Sequence, residues 1–221
     1  MNPEQLRTGI LYFVAIVVAL SIHEAAHGLA AHLLGDDTAK RHGRLTLNPL
    51  AHLDPLGTVM LAMMAFQHMG IGWAKPVPVN PLNFRSPRRD YGLVSFAGPL
   101  SNFLQAVLAY WTILLIAKTS GTAFDIVFDF MTALATVNIG LAAFNLLPVY
   151  PLDGQKVISA LLPASISRHF DFLCLRMGAW PLLLMVVWEW VLPIPGPLSL
   201  VMGPVFNGLK DLVVLSAFWL G

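Results

Sequence analysis

Apolar residues fill five long stretches of the chain, and the polar residues collect between them. Residues 10–34, 93–117 and 126–149 each supply the run of about 20 mostly apolar residues that a membrane-spanning helix needs. Residues 177–192 form a shorter run that contains Pro181 and is expected to span with some distortion. Residues 198–220 are long enough but are interrupted by Asn207, Gly208, Lys210 and Asp211, so one kinked helix or two short pieces fit equally. The run 58–69 is too short to cross. Between the first two spans, 35–91 is rich in Gly, Pro and Asn, a pattern of strands and turns. Non-helical backbone at membrane depth must be covered by protein, so this stretch is expected to fold against the helices. The expected fold is an all-α polytopic membrane protein. It has a three-helix core, C-terminal helices and a small re-entrant or membrane-associated β segment within 35–91, all in one membrane-embedded domain over 1–221. No internal repeat is present.

Composition supports the membrane class. Of 221 residues 57% are hydrophobic and only 11% are charged, against about 25% charged in soluble domains. Mean hydropathy is +0.70. A soluble enzyme and a disordered chain are both excluded. A net charge of +1 with no basic block excludes a nucleic-acid partner. The single cysteine, Cys174, rules out internal disulfides and a Cys-rich zinc cluster. The first apolar run outlasts a signal-peptide core and is read as a retained span.

Charge sets the expected orientation. If 58–69 dips into the membrane without crossing, the seven basic residues within 35–91 share one face with Lys156, Arg168 and Arg176. Only Arg7 and Lys118 then lie on the other face, with Lys210 unassigned. Basic residues near span ends favour the cytoplasm. The N-terminus is therefore expected outside and the 35–91 stretch at the cytoplasmic side of a cell membrane.

The chemistry sits inside the first span, in Ser21-Ile22-His23-Glu24-Ala25-Ala26-His27. On a helix, two His four residues apart point to one side and can share a metal ion, and the Glu beside the first can take a proton from a metal-bound water. Ionisable groups inside a span are costly, which marks them as functional. Catalytic zinc usually takes three protein ligands. His32 lies about 180° around the helix from His23, and the position six residues after His27 is Leu33. The other two glutamates, Glu4 and Glu189, are poor candidates for a third ligand. Asp153 is the best one. It follows the third span directly, with Pro148 and Pro151 ending the helix before it and Gly154 allowing a turn after it. In the expected topology it shares the cytoplasmic half of the membrane with His23 and His27.

Three blocks give a family resemblance: His23-Glu24-Ala25-Ala26-His27, Ala97-Gly98-Pro99-Leu100-Ser101-Asn102, and Asn145-Leu146-Leu147-Pro148 running to Pro151-Leu152-Asp153-Gly154. Together with Gly43-Arg44-Leu45-Thr46-Leu47-Asn48-Pro49 and 52–58, they make the chain resemble an intramembrane zinc metalloprotease of the site-2 protease family, in its compact prokaryotic branch without a PDZ domain. The resemblance implies one zinc ion bound by His23, His27 and Asp153, with Glu24 as general base. It also places Asn102 near the metal, where an oxyanion-stabilising role and a plain inter-helix hydrogen bond carry equal weight. The implied partners are the bilayer and membrane-protein or signal-peptide substrates. Gln155-Lys156 departs from the usual flank of the aspartate motif. Nothing in the sequence sets the oligomeric state.

In 74–80, Pro76 and Pro78 remove donors from one edge of a strand and leave the N–H groups of Val77 and Val79 on the other. Either that edge pairs with a hairpin partner or with substrate, or the segment is a polyproline-like linker, the two carrying equal weight. His42, His68 and His169 are expected outside the spans. His52 and Asp54 are candidates to brace the re-entrant segment, Trp188-Glu189-Trp190 to anchor at the interface, and Arg88-Arg89-Asp90 to meet lipid headgroups. The competing classes are a haem-binding membrane protein, which uses His on helices, and a proton-coupled transporter, which holds intramembrane His and Asp.

Overall fold

The computed structural model describes residues 1–67, 72–117, 125–192 and 194–217. His68 and Lys118, whose locations the sequence suggested, lie outside the described residues. Helix α1 runs over Pro3–Leu33. Asn2 caps it by accepting from the Gln5 N–H while the Gln5 side chain returns a bond to Asn2, a reciprocal cap that satisfies two otherwise free donors. At 31 residues it is about 46 Å long, well beyond the roughly 30 Å of a bilayer core. Gly35, at φ +103°, ends it in a conformation that costs glycine little.

Helices α5 (Pro87–Ala117) and α6 (Asp125–Asn145) complete a three-helix core with α1. Their contacting faces are built from small residues: Ala15, Ala19 and Ala25 on α1, Ala106 and Ala109 on α5, Ala133, Ala142 and Ala143 on α6. Such residues let helix backbones approach closely in lipid, where apolar burial gives no drive. Arg7 near the start of α1 pairs with Asp129 near the start of α6, and His27 late in α1 meets Val94 early in α5. So α1 and α6 run parallel, and α5 runs against them. The third span ends at Asn145 rather than near 149, because Pro148 cannot extend a helix.

Four short elements follow α1. They are α2 (Thr38–Arg41), α3 (Pro49–His52), α4 (Pro55–Gln67) and a 3-10 turn over Pro81–Asn83. At 13 residues α4 is apolar but too short to span; it packs Leu61 and Ala65 on Ile16 and Leu20 of α1. The β segment expected in this region is not formed. Among the described residues there is no strand, only an isolated antiparallel bridge between Leu53 and Ala74. The physical reason is competition for donors. Pro76 and Pro78 have none, and the N–H groups of Val77 and Asn80 go to the carboxylates of Glu24 and Asp36 rather than to a neighbouring strand.

Asp36 is the hub of this region. It is fully buried and accepts from the Thr38 hydroxyl at 2.5 Å, the Asn80 N–H at 2.7 Å and the Asn83 amide at 2.7 Å. Burial works to raise its pKa, but these bonds to the ionised form prevail and hold it below the usual carboxylate value. The Arg44 guanidinium, also buried, donates to the Ala51 carbonyl and, at 3.5 Å, to that of Lys75. His52 donates from Nε2 to the Thr46 carbonyl at 2.8 Å, and Asp54 accepts the Gly57 N–H at 2.8 Å at the start of α4.

The C-terminal region holds α7 (Asp153–Leu161), α8 (Ala164–Met177), α9 (Trp180–Val191) and α10 (Pro197–Ser216). Within the expected span 177–192 the helix runs over Trp180–Val191 alone. Gly178, at φ +56°, separates α8 from α9, and the two meet at a 59° bend. Pro181 lies in the first turn of α9, where its missing N–H costs nothing. Over its described length the last stretch is one helix, continuous through Asn207, Gly208, Lys210 and Asp211. Glu189 of α9 accepts the Ser199 N–H at 2.7 Å in the first turn of α10, so it caps the next helix. Among the described residues the chain is thus all-α, with four apolar helices long enough to cross a membrane, or five if the bent pair is one span.

Candidate metal centre

Helical spacing puts His23 and His27 on one side of α1, both buried, with Nε2 atoms 3.0 Å apart. Asp153, the first residue of α7, brings Oδ2 to 3.3 Å from His23 Nε2 and 3.2 Å from His27 Nε2. It begins a helix rather than sitting on irregular backbone. Gly154 continues that helix and makes no turn. Its use is close packing, because a side chain there would run into the Leu146 and Leu147 carbonyls. Gly92 of α5 has a matching role, since a Cβ would strike Ala160 of α7. Gly98 is the third such position. A Cβ there would come within 2.5 Å of His27 Nε2 and His23 Cε1.

Hydrogen bonding fixes which ring nitrogens face inward. The Asn138 amide nitrogen donates to the Leu134 carbonyl at 2.9 Å, which leaves Asn138 Oδ1 to accept from Asn102 Nδ2 at 2.7 Å. Asn102 Oδ1 then faces His23 Nδ1 at 2.5 Å and can only accept. His27 Nδ1 lies 2.7 Å from the Val94 carbonyl, which also only accepts. Both imidazoles therefore carry their proton on Nδ1 and turn the Nε2 lone pair toward Asp153. Three acceptor atoms converge with no donor among them. A proton can satisfy two of them, whereas a metal ion satisfies all three.

The dimensions agree with zinc. Ligand bonds of about 2.0–2.1 Å in a tetrahedron place donor atoms about 3.3 Å apart, and the observed triangle has edges of 3.0, 3.2 and 3.3 Å. The imidazole–carbonyl and imidazole–amide bonds are the outer contacts that orient metal-binding histidines. A haem does not fit, because Nε2 atoms 3.0 Å apart leave no room for a porphyrin between them. Among the described residues no other three His, Cys, Asp or Glu side chains converge this way. His32 pairs instead with Asp37 at 2.5 Å.

Glu24, buried, lines the same cavity of about 220 Å³, together with Val77, Tyr91 and the three converging residues. Its Oε2 accepts the Val77 N–H at 2.9 Å. That N–H, expected to pair with a hairpin partner or with substrate, is therefore already engaged. Asn102 is fully buried, and its amide N–H groups face Asn138 and, at 3.4 Å, the Ala19 carbonyl. The sequence reading missed Asn138 and the Val94 carbonyl. Asn138 left a legible signal as a polar residue in the middle of an apolar span; a backbone carbonyl leaves none.

Paired histidines, an adjacent glutamate and a distant aspartate on a multi-helix apolar scaffold define a membrane zinc metalloprotease. The chain belongs to peptidase family M50, the site-2 protease family, which matches residues 11–185. It is 41% identical over 157 residues to "Putative zinc metalloprotease YwhC" of Bacillus subtilis, covering 69% of this chain and 69% of that protein. It is 30% identical over 165 residues to "Putative zinc metalloprotease Rip2" of Mycolicibacterium smegmatis, covering 72% of this chain and 60% of that one. A Mycobacterium tuberculosis protein with the same Rip2 description is 29% identical over 193 residues. No solved structure matches the chain.

Proposed function

We propose that the protein is a zinc-dependent intramembrane protease that hydrolyses peptide bonds in or near transmembrane segments, with its active site toward the cytoplasm. Its substrates are membrane proteins or remnant signal peptides. The observation that carries the reading is the convergence of His23 and His27 of a membrane helix with Asp153 of α7 at 3.0–3.3 Å, beside the buried Glu24. Zinc held there by His23, His27 and Asp153 would supply a Lewis acid and activate water for attack.

The chain's own residues do the rest. Glu24 takes the proton of the attacking water and returns it to the departing amine. The Val77 N–H holds the Glu24 carboxylate in one orientation. Asn102 acts as a positioning residue: its Oδ1 holds the His23 ring while its N–H groups are committed to other helices. This favours the positioning role over oxyanion stabilisation.

A substrate helix must unwind before its carbonyls can be reached. Val79 lines the metal cavity, and its N–H has no hydrogen-bond partner among the described residues. It is therefore the donor available to an unwound substrate strand. An apolar cavity of about 480 Å³ between α1, α4 and α6, lined by Ile16, Leu20, Leu61, Val137 and Leu141, offers space for side chains of the segment still helical. The basic residues of 35–91 support the cytoplasmic orientation.

The test is zinc quantification on wild type and Glu24→Gln, paired with cleavage of a panel of membrane peptides in liposomes. Zinc in both proteins, with cleavage by wild type alone, is expected. Cleavage of soluble unfolded peptides in preference to membrane peptides would overturn the intramembrane reading.

A further inference from the structure

Beside the metal cavity lies a second one of about 410 Å³, lined by Arg88, Tyr91, Tyr150, Gln155, Lys156 and Asp171 among others. Tyr91 and Lys156 line both cavities and so form the partition between them. Lys156 stands three residues after Asp153 in α7, which places it on the same helix face one turn on. Its ammonium lies 5.5 Å from the centroid of the Tyr91 ring. Among the described residues no carboxylate pairs with Lys156 or with Arg88. The one acid in the cavity wall, Asp171, is engaged: Oδ1 accepts from Gln155 at 2.7 Å and Oδ2 from Ser159 at 2.8 Å. Two cations without a direct ion-pair partner, against one carboxylate held by neutral donors, therefore face a cavity that adjoins the metal cavity.

We propose that Lys156 and Arg88 form a carboxylate-binding subsite of the protease, reached past Tyr91 from the metal cavity. The inference rests on the proteolytic reading above and adds a substrate class to it. The carboxylate comes either from an acidic side chain beside the scissile bond or from the C-terminus that cleavage creates. The first source has a defined position. Three helical residues advance about 4.5 Å, an extended chain advances about 3.3 Å per residue, and the lysine side chain adds a similar reach. The acid therefore lies about two to four residues from the cut. A cation resting on an aromatic face is held weakly enough to turn toward a stronger partner.

The experiment uses the zinc-loaded full chain in liposomes and membrane peptides that differ only in Glu, Gln or Lys at those positions. Wild type is expected to show a KM about twofold to fivefold lower for Glu than for Gln. Lys156→Glu is expected to reverse the order and favour the Lys peptide, which loss of a structural clamp would not do. Arg88→Glu, at an exposed position, is expected to move KM the same way by less, and it decides the matter if Lys156→Glu fails to fold. Product peptides ending in a free acid or an amide test the second source. Stronger inhibition by the acid, abolished in Lys156→Glu, assigns the subsite to the product.

Equal KM values together with equal inhibition would overturn the proposal. Binding of the same peptides to Glu24→Gln, followed by fluorescence anisotropy, reads the charge preference without turnover. If wild type cleaves nothing yet Glu24→Gln still prefers the Glu peptide, the proteolytic reading fails and the subsite stands.

Discussion

The backbone N–H of Val77 donates to Glu24 Oε2 at 2.9 Å, linking a proline-flanked extended segment to the glutamate of a metalloprotease motif 53 residues earlier in the chain. The bond accounts for why 74–80 does not pair as a strand, and it gives the carboxylate a fixed direction. Bonds to a charged group contribute about 1.5–3 kcal/mol. Val77→Pro removes the donor and leaves the metal residues untouched. We expect kcat to fall about tenfold to a hundredfold with zinc content unchanged, read from parallel kinetics and metal analysis.

Glu24→Gln keeps an acceptor for Val77 but cannot take a proton. Cleavage should fall by about two to four orders of magnitude while zinc stays bound. Asp153→Ala removes one of three converging acceptors and should lose the metal. Zinc retained at wild-type level in Asp153→Ala would show that the third ligand is another residue.

Asn102→Ala takes away the acceptor that orients His23. Outer contacts of this kind are worth about tenfold to a hundredfold in metal affinity, and a chelator competition titration should show a loss of that size. Asn138→Ala should act in the same direction by less, because it frees the Asn102 amide to turn. An oxyanion role for Asn102 would instead lower kcat and leave zinc affinity alone.

Gly98→Ala tests packing directly. The added carbon would lie 2.5 Å from His27 Nε2, nearer than an imidazole can tolerate, so the rings must move. Helical content should persist while zinc binding and cleavage are lost. An alanine variant that keeps wild-type zinc affinity would show that α5 can shift to make room.

Asp36 gives a pH dependence outside the spans. Its folded-state pKa is depressed, so its stabilisation is fully present above the ordinary carboxylate value of about 3.9 and is lost as pH falls through the lower folded value. Thermal unfolding in detergent should show this acid-side loss in wild type, and less of it in Asp36→Asn, which should also unfold at a lower temperature at neutral pH.

The sequence alone determined the class of this protein and the candidate groups of its site. Residue spacing on a helix is a local property, so His23, Glu24 and His27 could be read from a single span, and the length of apolar runs marked the core helices because bilayer thickness is fixed. Asp153 was also legible, since it is an acid placed by prolines at the end of a span. Tertiary structure decided everything that depends on which groups meet across the chain. It gave Val77 to Glu24 and Asn80 to Asp36 in place of a strand, bent the chain at Gly178 between α8 and α9, and set Asn102 between His23 and Asn138. Hydrogen-bond donors in a dry interior go to the strongest acceptor within reach, and only the packed helices determine which acceptor that is.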